Sequence, residues 1–150
     1  MSNEFVKKVY TMLSPIVDNW VDYYVTYGEI AEYSSKRYRV FEGFNHPIDD
    51  YNARIELKNG YNIGIAIVTS GSRDKFKTTN VLQVYVTGPG VQHNDNGNGC
   101  IDTCPVRVMK ERKMFVAGEF DIDDIEWVTD IEGFMNKYAQ MEKAEVEVVD

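Results

Sequence analysis

Two runs of strict alternation meet at Asn59-Gly60, and they constrain this chain more than any other feature. Before the turn, Ala53, Ile55 and Leu57 alternate with Arg54, Glu56 and Lys58; after it, Tyr61, Ile63, Ile65 and Ile67 alternate with smaller residues. A period of two around such a dipeptide is a β-hairpin with one covered face. The faces then decide the turn length. A two-residue Asn59-Gly60 loop would pair 57 with 62 and 55 with 64, setting Ile55 and Leu57 beside Gly64 and Asn62. A three-residue loop, Lys58-Asn59-Gly60, pairs 57 with 61 and 55 with 63, and the apolar faces agree. Register follows the buried face, so the longer loop is predicted, with Gly60 left-handed in a G1 bulge.

A lone hairpin is not stable in water; it needs further strands and a cover. Phe5, Val9, Leu13, Ile16, Trp20 and Tyr24 recur at helical spacing, and Val6, Tyr10, Val17 and Val21 widen the stripe. The spacing predicts helix from about 3 to 33, broken near 14, where Pro15 either kinks it or opens a second helix capped by Ser14. A second helix is expected from about 122 to 142, with Ile122, Ile125, Val128, Ile131, Phe134, Met135 and Tyr138 inward and Asp121 or Asp124 as cap. Gly133 either weakens it or marks close packing. Further strands are expected at 37–44, 81–87 (stopped by Gly88-Pro89-Gly90), 105–110 and 113–120, with a loop at 45–50. The stretch 144–150 is a frayed acidic tail or a short edge strand.

The expected fold is α+β: an antiparallel sheet of about five or six strands, with the N-terminal and C-terminal helices packed on one face, in a single domain over 1–150. At 17.3 kDa and 43% apolar, the chain can bury a core without a disulfide or metal staple. Two cysteines are too few for a secreted framework, and no apolar run reaches the eighteen or so residues that cross a bilayer. The start of the chain does not resemble a signal peptide, so a cytoplasmic location, in the protein's own cell or a host cell, is expected, with no membrane partner.

Charge is unevenly placed. Residues 119–150 hold eleven acids and two bases, whereas the first 118 residues come to +1, within a total of −8. Ten of the sixteen bases fall in three runs: Lys36 to Arg39, Arg73 to Lys77 and Arg107 to Lys113. Solvent faces of strands need such charge, and net acidity opposes binding to a phosphate backbone, so nucleic acid is not the expected partner.

The segment Gly88 to Pro105 is read as a long loop, and long loops in compact domains tend to be functional or disordered. It holds His93, Cys100 and Cys104; with His46, these are all the histidines and cysteines of the chain. Their spacing matches no zinc finger or ribbon. Asn94 to Pro105 resembles a calcium loop of the EF-hand or dockerin type, with oxygen side chains at loop positions one, three, five and nine and glycine at six. It departs with Asn94 at position one and Pro105 at twelve, where an acid closes the coordination sphere. A turn of asparagine and glycine needs no ion, so no metal and no cofactor are expected.

No phosphate loop, nucleophile elbow or paired His-Glu zinc helix is present. Cys100 and His93 could form a nucleophile pair, but nothing in the surrounding loop activates the thiol. The absent templates favour binding over catalysis. The expected function is a non-enzymatic binding protein that presents its acidic helix to a basic protein surface through Asp123, Asp124, Glu126, Asp130 and Glu132. An inhibitor, an immunity-type protein or a nucleic-acid mimic fits, including one encoded by a phage or mobile element for anti-defence. The alternative is a pocket protein or small enzyme taking an anionic, nucleotide-like ligand through the 88–105 loop, with Arg37, Arg39, Arg107, Arg112 and His93. Oligomeric state is open, a homodimer included.

Overall fold

The computed structural model describes residues 4–28, 30–40, 49–72, 77–93, 105–143 and 147–149. In chain order they form α1 (Glu4–Thr26), β1 (Ile30–Val40), β2 (Asp49–Leu57), β3 (Asn62–Ser72), β4 (Lys77–His93), β5 (Pro105–Val116), α2 (Glu126–Ala139) and β6 (Glu147–Val149). The fold is α+β. Strands β1 to β5 pair antiparallel in sequence order, and both helices share one buried apolar cluster with the sheet.

The β2–β3 hairpin has the predicted register. Ile55 pairs with Ile63, both side chains are buried, and Gly60 has φ +97°. Leu57 donates its N–H to Tyr61 O at 2.9 Å, and Gly60 donates to Leu57 O at 3.1 Å, closing the three-residue loop. Asn59 has a second use: its Nδ2 donates to Tyr138 O and Met141 O at 2.8 and 3.1 Å. The turn therefore adds a bond to Tyr138 O, which also accepts the Met141 N–H at 3.3 Å, and ties down the Met141 carbonyl just past the end of α2.

Register carries the buried face across the sheet. Ala53, Ile65 and Val84 form one row and Ile55, Ile63 and Val86 the next, all under the helices. The opposite face has Asn52, Arg54, Glu56, Asn62 and Gln83. There Tyr85 lies over Gly64, where an added Cβ would fall 2.2 Å from its ring.

Several expectations are corrected. α1 runs unbroken through Pro15, which sits on the exposed side, where water can take the Thr11 carbonyl freed by the missing N–H. The helix ends at Thr26 rather than near 33, with Gly28 left-handed at φ +78° just beyond it. β4 does not stop at Gly88-Pro89-Gly90 but continues to His93. Pairing with β3 ends at Thr87, so Pro89 faces β5 alone, an edge setting that tolerates a missing donor. The two strands expected at 105–110 and 113–120 are one strand, β5, with a bulge between Glu111 and Met109. The sheet is not wholly antiparallel: β6 pairs parallel to β4. Gln92 meets Pro105 on one side and Val148 on the other, so β6 fills the place that β3 vacates, and 147–149 is not a frayed tail. The expected strand end at 41–44 and the loop around Pro47 lie outside the described residues.

α2 begins at Glu126, four residues later than expected. Its N-cap is Ile125, with no side-chain cap bond, and Ile125 is 59% exposed rather than inward. Trp127 takes the buried place, its Nε1 donating to Ile122 O at 3.0 Å. Gly133 marks no close packing; an added Cβ would meet nothing within 4 Å.

Candidate functional site

The acidic approach to α2 is built from two short turns. Asp121 accepts the Asp123 N–H at 3.1 Å, and Asp124 accepts the Glu126 N–H at 3.0 Å. These carboxylates shape the entry to the helix, as side-chain oxygens before a helix commonly do. Glu126 and Asp130 follow one turn apart, both exposed. Together Asp121, Asp124, Glu126 and Asp130 rim a shallow depression floored by Phe115, Phe120 and Trp127. The floor rings interlock, with Phe120–Trp127 centroids 5.9 Å apart at 70° and Phe115–Phe120 centroids 5.5 Å apart at 65°.

The five acids expected to act together divide into three settings. Asp124, Glu126 and Asp130 share the rim. Asp123 is exposed beside it and pairs with Lys8 at 3.1 Å. Glu132 does not share the rim but lines a separate groove between α1 and α2, with Trp20, Tyr23 and Asn136. The reason is helical geometry: Asp130 lies four residues after Glu126 and nearly above it, whereas six residues carry Glu132 about 120° around the axis. The aromatic floor was not foreseen in the sequence, although Trp127 lies one residue before the inward Val128.

The residues of the alternative site do not converge. Arg37 and Arg39 belong to β1 and Arg107 and Arg112 to β5, the two ends of the β1–β5 path, roughly 19 Å apart at ~4.8 Å per strand spacing. Arg107 donates to Gly60 O and Thr87 O at 3.0 and 3.1 Å, so it ties the hairpin turn to β4. His93 is the last residue of β4; Cys100, Cys104, His46 and the asparagine-rich stretch lie outside the described residues. Among the described residues no three His, Cys, Asp or Glu side chains are grouped to hold a metal. No described helix is long and apolar enough to cross a membrane.

A second cluster of charge lies under α2. Glu111 Oε1 accepts from Lys137 Nζ at 2.8 Å and from the Tyr138 hydroxyl at 2.7 Å. The Lys137 ammonium and then the Tyr138 hydroxyl hold the Glu111 carboxyl below the usual carboxylate range. Burial, then the bond to Glu111, pushes the Tyr138 phenol up. Lys113 stands over the Phe134 ring at 5.9 Å. Every polar partner here is internal, so the cluster reads as structural. No protein-family model, curated protein or solved structure matches this chain.

Proposed function

We propose that this chain is a non-enzymatic binding protein whose acidic rim at the start of α2 receives a basic surface on a protein partner. The supporting observation is the depression itself: four carboxylates around the half-buried rings of Phe115 and Phe120, with the buried Trp127 beneath them. Aromatic floors give contact area, and a carboxylate rim selects charge and speeds encounter. An inhibitor, an immunity-type protein or a nucleic-acid mimic would work in this way. The nucleotide-like alternative gains no support from a sheet that sets its arginines on opposite edges.

The test uses a basic probe, a blocked tetra-arginine peptide, titrated into ¹⁵N-labelled protein. Peptide should shift the Trp127 indole N–H, and the double variant Glu126→Gln with Asp130→Asn should weaken that binding about fivefold at low salt. The difference should shrink as salt rises, because exposed charges are screened. Equal binding by wild type and double variant at low salt would make the rim ordinary solvation and remove the proposal.

A further inference from the structure

The chain has two tryptophans, and each lines a different depression. Trp127 belongs to the rim described above; Trp20 lies in the groove between the helices. α1 and α2 run side by side in the same direction. Lys8, early in α1, bonds Asp123 just before α2, and Trp20 and Tyr24, late in α1, bond Asn136 late in α2. Both helices therefore bring their C-terminal, partially negative ends to one place.

The floor there is pinned. Asn136 Oδ1 accepts from Trp20 Nε1 at 2.8 Å and from the Tyr24 hydroxyl at 3.2 Å, and the Trp20 and Tyr24 rings lie 4.3 Å apart. The wall is not buried: Tyr23 is 56% exposed, and Tyr27, 66% exposed in the adjoining depression, lies beside it with centroids 4.7 Å apart. Trp20 is buried in the core and Tyr24 half-buried against it, whereas Tyr23 and, just past the helix end, Tyr27 add rings that the core does not cover. Glu132 adds a carboxylate to the same groove, beside the Asn136 and Gln140 amides. α1 has no basic residue in its last turn. Lys58, from the hairpin, approaches the end of α1 from the Gly28 side, 3.5 Å from where a Cβ on Gly28 would stand.

Exposed tyrosine faces and a carboxylate attract a cation, and the end of α1 adds to this, since only α2 carries a basic residue, Lys137, in its last turn. A planar guanidinium suits them better than an ammonium, because it stacks on a ring while bonding a carboxylate in its plane. We infer that this groove takes an arginine side chain of the basic partner, stacked on Tyr23 and paired with Glu132. The inference rests on the proposed basic partner and names its anchor. Pinning Trp20 and Tyr24 in advance lowers the ordering cost of that contact.

The two indoles let one titration separate the two sites. Tetra-arginine should move the Trp20 indole N–H, tetra-lysine should move it less, and uncharged tetra-citrulline should leave it in place. Glu132→Gln and Tyr23→Leu should each cut the Trp20 response severalfold while the Trp127 response persists, which also shows that both variants fold. If Trp127 responds and Trp20 does not, the arginine anchor is overturned and the acidic rim stands. If Trp20 alone responds, the anchor stands and the rim falls. Equal responses to arginine and citrulline, or to arginine and lysine, overturn the guanidinium assignment.

Discussion

β2 and β5 both flank the central pair of strands and both turn alternate residues toward the helices, yet they present opposite chemistry to them. β2 contributes Tyr51, Ala53, Ile55 and Leu57, all buried in the common core. β5, by register with Val86, Val84 and Leu82, contributes Glu111, Lys113 and Phe115. Position explains the difference. β2 has β1 beyond it, whereas β5 ends the β1–β5 path, where water reaches the seam beneath α2. Inward-pointing charges on an outer strand also discourage pairing with another chain. A strand under a helix need not be apolar, provided each charge finds a partner.

The largest expected effect falls on the dry side. Ile55→Ala should cost about 2–5 kcal/mol, the range for removing a fully buried aliphatic side chain. Lys113→Ala, inward-facing on β5 in the neighbouring row that holds Ala53, Ile65 and Val84, should cost under about 1 kcal/mol, because its side chain is only partly buried. Urea unfolding of the two variants measures both. Equal costs would show that the two flanks do not differ in the way described.

An intermediate effect is expected where the wet side is most enclosed. Tyr138→Phe removes the hydroxyl that donates to Glu111 at 2.7 Å and leaves the ring packing in place. Hydrogen bonds to charged groups are worth about 1.5–3 kcal/mol, and Lys137 still partners the carboxylate, so a loss near the lower figure is expected. A loss within error of zero would reduce the cluster to a surface contact.

The same contrast explains what could be read from the sequence. The β2–β3 hairpin was legible to the residue because its inward side is wholly apolar, so only one register agrees with it. β5 was read as two strands because its inward side carries Glu111 and Lys113, and a bulge beside Glu111 breaks the alternation. Gly88-Pro89-Gly90 looked like a stop because a local signal cannot show that β3 has already ended alongside. At Gly88 a side chain would crowd Tyr61 and Lys110, with an added Cβ 3.1 and 3.0 Å from them, so the glycine serves packing there rather than a turn. Of the candidate site, the sequence shows only where acid lies along the chain. A net charge has no direction, and the structure sets Glu132 in a different depression from Asp124, Glu126 and Asp130 and turns Ile125 outward. The aromatic floor was missed because its three rings come from β5, the segment after it and α2 and meet only in the fold. The tyrosine wall was missed because Tyr23 and Tyr27 stand outside the apolar stripe that ends at Tyr24.

The smallest effect sharpens the comparison through pH. Glu111 has its folded-state pKa lowered by Lys137 and Tyr138, while in the unfolded chain it returns to the ordinary glutamate value. A depressed carboxylate adds stability at pH above the unfolded value and loses it as pH falls through the folded one. Wild type should therefore lose part of its stability below about pH 4.5, and Glu111→Gln should lose less over the same interval. The side chain of Glu111 is 35% exposed, so solvent screening keeps the contribution small, and a difference in unfolding midpoints between pH 6 and pH 3 is the sensitive readout. Ile55→Ala should be destabilised by the same amount at both pH values, since no titrating group touches the interaction it removes. If the wild-type and Glu111→Gln curves run parallel from pH 6 to pH 3, the charges beneath α2 contribute nothing through ionisation. The wet flank would then differ from the dry one only in packing.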